Sequence, residues 1–445
     1  MRLISRYAAV VSGRASILAL VVLLAAGSVA RAEEGAVVLA WNEQALDAVR
    51  EERLGTPVAA RLYAMVNIAI YDAVNGIDRA RLGHFDRFFG RDFALVEPAG
   101  APRRGNREAA AAAAGHAVLA ALVPERAGDF DVQLAADLAR LGAGGQVIAG
   151  QLWGERVGEA VVELRENDGA APQQVLPGGT APGQFRRDFT SAQFAELLPF
   201  GIASSLPYES DGPPALDSLA YAGALAEVQL LGNGNLPNAA FEEIFRFWRG
   251  GGGSARPPGE WIKVAAVVAE QEETTDSISD SARLFALLGM ALGDAVLPAW
   301  NNKVNFQFWR PGTAIVEADS DGNPLTLADP GWVPRNGSLG SSPEHSSGQS
   351  TFAGAGATIL AGFYCTDFIA FSFEGDDAIA GPRSFASFSA AAFEAGRARI
   401  LAGIHFEFSN QAGQTAGRGL ANEILTTRLQ RLRPSFGRTP RCPQS

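Results

Sequence analysis

Over most of this chain, apolar residues return every third or fourth position, and that period commits it to packed helices rather than sheets. Residues 38–53 and 58–77 set Leu, Val, Ile and Met on helical faces, followed by an Ala-rich run at 108–122 and a longer one at 132–168. The period fails across 169–214, where Pro172, Pro177, Pro182, Pro199, Pro207, Pro213 and Pro214 stand among many Gly and Ser. Proline density of that kind predicts a long irregular connection, though its interleaved Phe and Leu argue against a loose one. Helical pattern resumes at 216–231, 239–249, 259–273 and 278–302. The expectation is an all-α chain of two helical subdomains, with residues 33–214 forming the first bundle and its connection and 215–445 the second.

The first 32 residues stand apart. They hold Arg2, Arg6, Arg14 and Arg31 and no acid, an apolar run at 17–26, and then Ala30-Arg31-Ala32, the small-residue spacing of a signal-peptidase site. Cleavage would start the mature chain near Glu33 and place it in a secreted or periplasmic compartment. The remainder carries 33 basic against 48 acidic residues, so a net charge of −11 becomes −15. Such a surface repels nucleic acid and anionic lipid. With 47% hydrophobic and 19% charged residues the chain reads as globular, and no later stretch approaches the roughly 18 uncharged apolar residues of a membrane span. Cys365 and Cys442 permit one disulfide or two buried thiols, and no disulfide scaffold.

Several patterns carry little chemistry. The glycine run 250–253 lacks the preceding strand and following Lys-Ser or Lys-Thr of a phosphate loop and reads as a surface turn. Asp319-Ser320-Asp321-Gly322-Asn323 opens like a calcium loop, but no acid closes it at the twelfth position, so it too reads as a turn. The acidic stretch 270–276 suits a solvated helix end, and His84 and His116 have no neighbouring constellation.

Three segments do carry chemistry. Arginine supplies all but two of the 37 basic residues, and one exception, Lys303, lies seven positions before Arg310 amid Val304, Phe306, Phe308, Trp309 and Pro311. On a continuous helix the two cations would share a face and grip one anion. Next, Ser346-Ser347-Gly348-Gln349-Ser350-Thr351 opens an Ala/Gly-rich run, and a helix start of small polar residues presents free N–H groups to an anion. Last, Arg399 and His405 stand six residues apart around Gly403, a spacing that does not share a helical face. It requires Arg399 to reach across or to precede a helix start.

In this order the three segments resemble the motifs of the vanadium-dependent haloperoxidase and acid phosphatase (type-two phosphatidic acid phosphatase) superfamily. Lys303 to Pro311 matches its Lys, six residues, Arg-Pro motif in full; Ser347-Gly348 keeps the centre of Pro-Ser-Gly-His; and Ala398-Arg399, His405 and Ser409 follow the Ser-Arg, His, Asp motif. Tyr71-Asp72-Ala73-Val74 and Gly403-Ile404-His405-Phe406 resemble the bacterial haloperoxidase branch. The resemblance implies two four-helix bundles with an oxyanion at the end of one. Lys303, Arg310, Ser347, Gly348 and Arg399 would hold the oxygens of vanadate or phosphate. His405 would be the axial vanadium ligand, or the nucleophile of a phosphatase. With vanadate as cofactor, the partners would be hydrogen peroxide and a halide; with phosphatase chemistry, a phosphate ester.

Two departures qualify that expectation. Gln349 replaces the proton-transferring histidine and cannot exchange a proton near neutral pH, a loss worth about 10²- to 10⁴-fold in rate. His345 would substitute only if its loop turned it inward; otherwise it is a solvent-exposed loop residue. Ser409 replaces the carboxylate that would orient His405, and Glu407, two residues from His405, faces elsewhere. Ser342 occupies the position that influences halide use in the family. The expected activity is a slow haloperoxidase, with acid phosphatase or a catalytically impaired oxyanion-binding protein as alternatives.

Overall fold

The computed structural model describes residues 33–83, 92–377 and 379–430. The expected leader at 1–32, His84, and Cys442, on which the expected alternatives of one disulfide or two thiols turn, lie outside the described residues. Thirteen helices of six or more residues run through the described residues. They are α1 (Ala36–Glu51), α2 (Thr56–Leu82), α3 (Arg107–Leu122), α4 (Ala127–Leu141), α5 (Gly145–Leu164), α6 (Leu219–Leu231), α7 (Ala239–Phe247), α8 (Arg256–Gln271), α9 (Ile278–Phe306), α10 (Pro311–Val316), α11 (Gly348–Tyr364), α12 (Phe388–Leu401) and α13 (Glu407–Thr427).

Helix starts follow local chemistry. Asn106, Ser277, Ser347 and Ser387 each accept a hydrogen bond from the backbone N–H three residues on, and Pro57 and Pro311 sit in first turns where no donor is missed. The run at 132–168 is two helices rather than one. Gly142, at φ +84°, ends α4, and α5 begins three residues later.

Helix α9 is the axis of the molecule. It packs on α2 on one side and on α11 and α13 on the other, so the core runs without interruption from Val37 to Leu429. By length and composition it could cross a membrane, yet 94% of its apolar window is buried inside this fold, as befits a helix apolar on every face. Beside it, α13 approaches α11 closely. A Cβ on Gly413 would stand 2.5 Å from the Ser347 carbonyl oxygen, and one on Gly417 2.1 Å from that of Thr351, so both must be glycine. That approach sets the start of α11 against α13.

The 169–214 connection is irregular, as its prolines require, but it is bound to the core through Phe185, Phe189, Phe194, Leu197, Phe200 and Ile202. The helical pattern read from the sequence left out α10, α12, α13 and a pair of strands. Phe371–Glu374 and Pro382–Phe385 form a small antiparallel hairpin, β1 and β2, that turns Phe371, Phe373 and Phe385 inward.

Candidate oxyanion site

A cavity of about 280 Å³ opens where the ends of α9 and α12 meet the start of α11. Lys303, Arg310, Arg399, His405, Gly348 and Gln349 all line it, with Trp300, Ser342 and Ile404 among the other walls. Three separated motifs therefore converge on one hollow. Ser347 does not line it. Its hydroxyl caps α11, accepting from the Ser350 N–H and hydroxyl.

The route by which the two first-motif cations meet differs from the expected shared face. Helix α9 stops at Phe306, Gln307 adopts left-handed φ of 41°, and the chain reverses so that Arg310 becomes the N-cap of α10. Lys303 Nζ donates to the carbonyls of Pro343 (2.6 Å) and Glu344 (3.2 Å). Arg310 donates to the carbonyls of Ser342 (2.8 Å) and Ile404 (2.7 Å) and to the Ser342 hydroxyl (3.0 Å). Gly340, at φ +88°, leaves room for this fan, since a Cβ there would lie 2.9 Å from the guanidinium carbon.

The third motif is also assembled by a turn. Arg399 lies in the last turn of α12, neither reaching along a continuous helix nor preceding one, and Gly403 at φ +75° swings the chain back to set His405 just before α13. Arg399 donates weakly to the carbonyl of Trp248 (3.3 Å), and its Nε is buried without a partner.

The carboxylate missing from position 409 is supplied from elsewhere. Glu344, fully buried, places Oε1 2.8 Å from His405 Nδ1 and also accepts from the Phe406 N–H (3.0 Å). Glu407 instead pairs with Arg397. With Nδ1–H given to Glu344, the lone pair of His405 sits on Nε2, which faces Arg310 Nη1 at 3.0 Å. Spacing within the third motif could not find Glu344, 61 residues away. A signal did exist: it is the only charged side chain between Arg335 and Asp367.

Electrostatics follow from burial without counter-charge. Burial first, then Arg310, Lys303 and Arg399, hold His405 well below the usual imidazole range, so it is neutral. Burial and the neighbouring Arg310 and Arg399 push Lys303 down, and burial takes Arg310 to about 10 and Arg399 to about 9. Burial raises Glu344 to about 7 against the pull of Arg310 and Lys303. Among the described residues no Asp or Glu lines the cavity. Cations desolvated in this way are stabilised by an anion placed among them.

His345 takes neither expected role. It is buried, with Nε2 2.5 Å from the Ser210 hydroxyl, packs between Phe306 and Phe408, and does not line the cavity. Burial lowers it to about 3, so it stays neutral. Gln349 donates Nε2–H to the Trp248 carbonyl (2.7 Å), which fixes its amide and leaves Oε1 as an unpartnered acceptor. The glycine run read as a surface turn is a turn, and Gly250 and Gly251 also wall the cavity.

The residues present fit a tetrahedral oxyanion: three cations, an orphaned Arg399 Nε, and Gly348, where an added Cβ would make only an ordinary 3.5 Å contact with Trp300. The protein's own packing thus leaves Gly348 open on its cavity side.

Comparisons with known proteins agree with this fold. Residues 283–433 match the family model of the VCPO second helical-bundle domain. Over 114 residues, 23% of this chain, it is 30% identical to vanadium chloroperoxidase of Curvularia inaequalis; the match spans 18% of that relative. Among solved structures, the fold is similar to a bacterial vanadium-dependent iodoperoxidase (TM-score 0.74, 21% identity, 90% of this chain and 98% of that one). It is also similar to the holo form of a bacterial vanadium-dependent chloroperoxidase (TM-score 0.63, 14% identity, 84% and 94%). Residues 283–433, which carry all three motifs, are similar to the second helical-bundle domain of the vanadium haloperoxidase group, and the fold as a whole is similar to that of bacterial vanadium-dependent haloperoxidases.

Proposed function

We propose that this is an exported, haloperoxidase-like oxidoreductase in which Lys303, Arg310, Gly348 and Arg399 would hold vanadate and His405 would ligate it, and that it oxidises a halide with hydrogen peroxide. The observation that carries the reading is the neutral His405, its Nδ1 anchored on Glu344 and its Nε2 lone pair facing Arg310 Nη1 in the wall of a cavity lined by cations and, among the described residues, by no carboxylate. Vanadate, when bound, supplies Lewis-acid activation of peroxide. The chain's own contribution is to hold and neutralise the oxyanion, with the lysine and arginines as charge-assisted donors and the Gly348 N–H beside them. Glu344 keeps the imidazole in one tautomer and orientation. Gln349 orients a hydroxyl by accepting from it, but it moves no proton, so the proton step falls to solvent and the reaction is slow.

The same cavity suits phosphoryl transfer from a phosphate ester with His405 Nε2 as nucleophile, a reading favoured by the room the cavity leaves beyond one oxyanion. One experiment separates the readings. Peroxide-dependent bromination of a dye after vanadate soaking is run beside hydrolysis of a chromogenic phosphate ester, for wild type and Gln349→His. Restoring the histidine should raise bromination at least about tenfold. A rise in ester hydrolysis alone, inhibited by vanadate, would transfer the assignment to a phosphatase. Silence of both variants in both assays would leave an oxyanion-binding protein.

A further inference from the structure

The inner cations account for only part of the cavity wall. At about 30 Å³ per water, 280 Å³ is room for about nine waters, and an oxyanion of four oxygens displaces about half of them. Arg249, Gly250 and Gly251, on the loop joining α7 to α8, and Arg256 and Pro257, in the first turn of α8, also wall the cavity, together with Thr56, Asn336 and Ser341.

Charge on that wall is unspent. Arg249 is exposed, and its guanidinium has no acceptor among the described residues. The acids across the loop are already engaged: Asp376 with Arg50 (3.2 Å) and Lys263 (3.0 Å), and Asp377 with Arg246 (3.6 Å). Arg256 is fixed at the mouth by donating to the carbonyls of Leu54 (2.6 Å) and Arg53 (3.0 Å). Arg53, outside the cavity wall, brings a further guanidinium up to the glycine loop. Its Nη2 and that of Arg256 lie 3.1 and 3.8 Å from where a Cβ of Gly252 would stand. The backbone N–H groups of Gly250 and Gly251 also lack an acceptor among the described residues. Paired backbone amides beside guanidinium groups are the donors that phosphate and carboxylate oxygens take.

We propose that Arg249, Arg256 and the glycine loop form a second anion subsite, so that the cavity takes a two-headed anion of the diphosphate class. One tetrahedral group sits at Lys303, Arg310 and Arg399, and the other at the mouth. The proposal rests on the oxyanion reading above and adds the class of ligand.

Calorimetric titration of the whole chain with inorganic phosphate and with pyrophosphate, at fixed ionic strength, tests it. Pyrophosphate should bind at least about tenfold tighter than phosphate. Arg249→Gln should cut that ratio to about two or below, and Arg249→Lys should keep much of it. Arg187, exposed and close enough to Arg310 to act on its charge but outside the cavity wall, serves as the control for long-range field, and Arg187→Gln should leave the ratio unchanged. Phosphate binding with no preference for pyrophosphate overturns the subsite while sparing the inner site. So does an equal drop in the ratio in the two glutamine variants. Absence of binding by either anion overturns the oxyanion reading and the subsite with it.

Discussion

Asp72 in α2 and Asp294 in α9 do the same job in opposite parts of the core. Each opens an Asp-Ala-Val segment of a long buried helix, and each carboxylate accepts three consecutive backbone N–H groups from a loop laid across it. For Asp72 these belong to Ala94, Leu95 and Val96, at 2.6, 2.9 and 2.9 Å; for Asp294, to Phe200, Gly201 and Ile202, at 2.6, 2.7 and 2.8 Å. Nine residues on, both helices carry a cation, and there they part. Arg81 is 41% exposed, 4.0 Å from Asp78 and bonded to the Gly105 carbonyl. Lys303 is buried against carbonyls alone, and the reversal at Gln307 delivers Arg310 beside it. The difference teaches that the loop-clamping carboxylate is scaffold common to both helices, whereas the site arises from where the chain goes afterwards.

Replacing either aspartate by alanine should have the largest effect of any single change compared here. Three buried N–H groups lose their acceptor at once, each costing about 1–3 kcal/mol, so a loss of about 4 kcal/mol or more is expected for both Asp72→Ala and Asp294→Ala. Denaturant unfolding of the two variants measures it. A loss under about 1 kcal/mol in one variant, with the full loss in the other, would break the equivalence of the two clamps.

The cations should separate the two helices next. Lys303→Met removes a buried donor from the cavity and should weaken phosphate or vanadate binding by about 10²- to 10³-fold, as loss of one preorganised donor does elsewhere. Arg81→Met, at the matching position of α2, should leave that affinity within twofold. Calorimetry on the two proteins decides it, and equal losses would mean that α9 holds no special place in binding.

Much of this contrast was legible in the sequence. Seven-residue spacing between Lys303 and Arg310, with Arg399 and His405 beyond, named the cations and the histidine of the cavity wall. Periodicity placed α9 almost residue for residue, because a helix buried all round is strongly patterned. What stayed hidden depends on turns and on distant contact. The left-handed residues Gln307 and Gly403 decide which faces meet, and a single left-handed residue leaves no period to read. Glu344 reaches His405 across 61 residues, a contact fixed only once α13 has packed on α11. Arg249 was passed over for the same reason: its loop borders the site only because α8 docks on α11 and β1.

The smallest effect is a dependence of stability on pH that should differ in position between the two clamps. Burial raises Asp72 to about 7 and Asp294 to about 6, outweighing in each the three N–H bonds that pull it down. A carboxyl raised above its unfolded value near 4 binds more protons in the native state across the interval between. Each group therefore lowers stability as pH rises through that window, by at most about 1.4 kcal/mol per pH unit. His345, held down to about 3, acts in the opposite sense below about 6.5, so the wild-type curve is a sum and the variants must be read by difference. Asp72→Asn should remove a falling component that persists up to about pH 7, and Asp294→Asn one that ends near pH 6, whatever each costs in absolute stability. Thermal unfolding from pH 4.5 to 8 supplies the curves. If both difference curves bend at the same pH, the two carboxylates sit in equally desolvated surroundings. The extra counter-charge of Arg165 near Asp294, against the like charge of Glu97 near Asp72, would then not distinguish the two clamps.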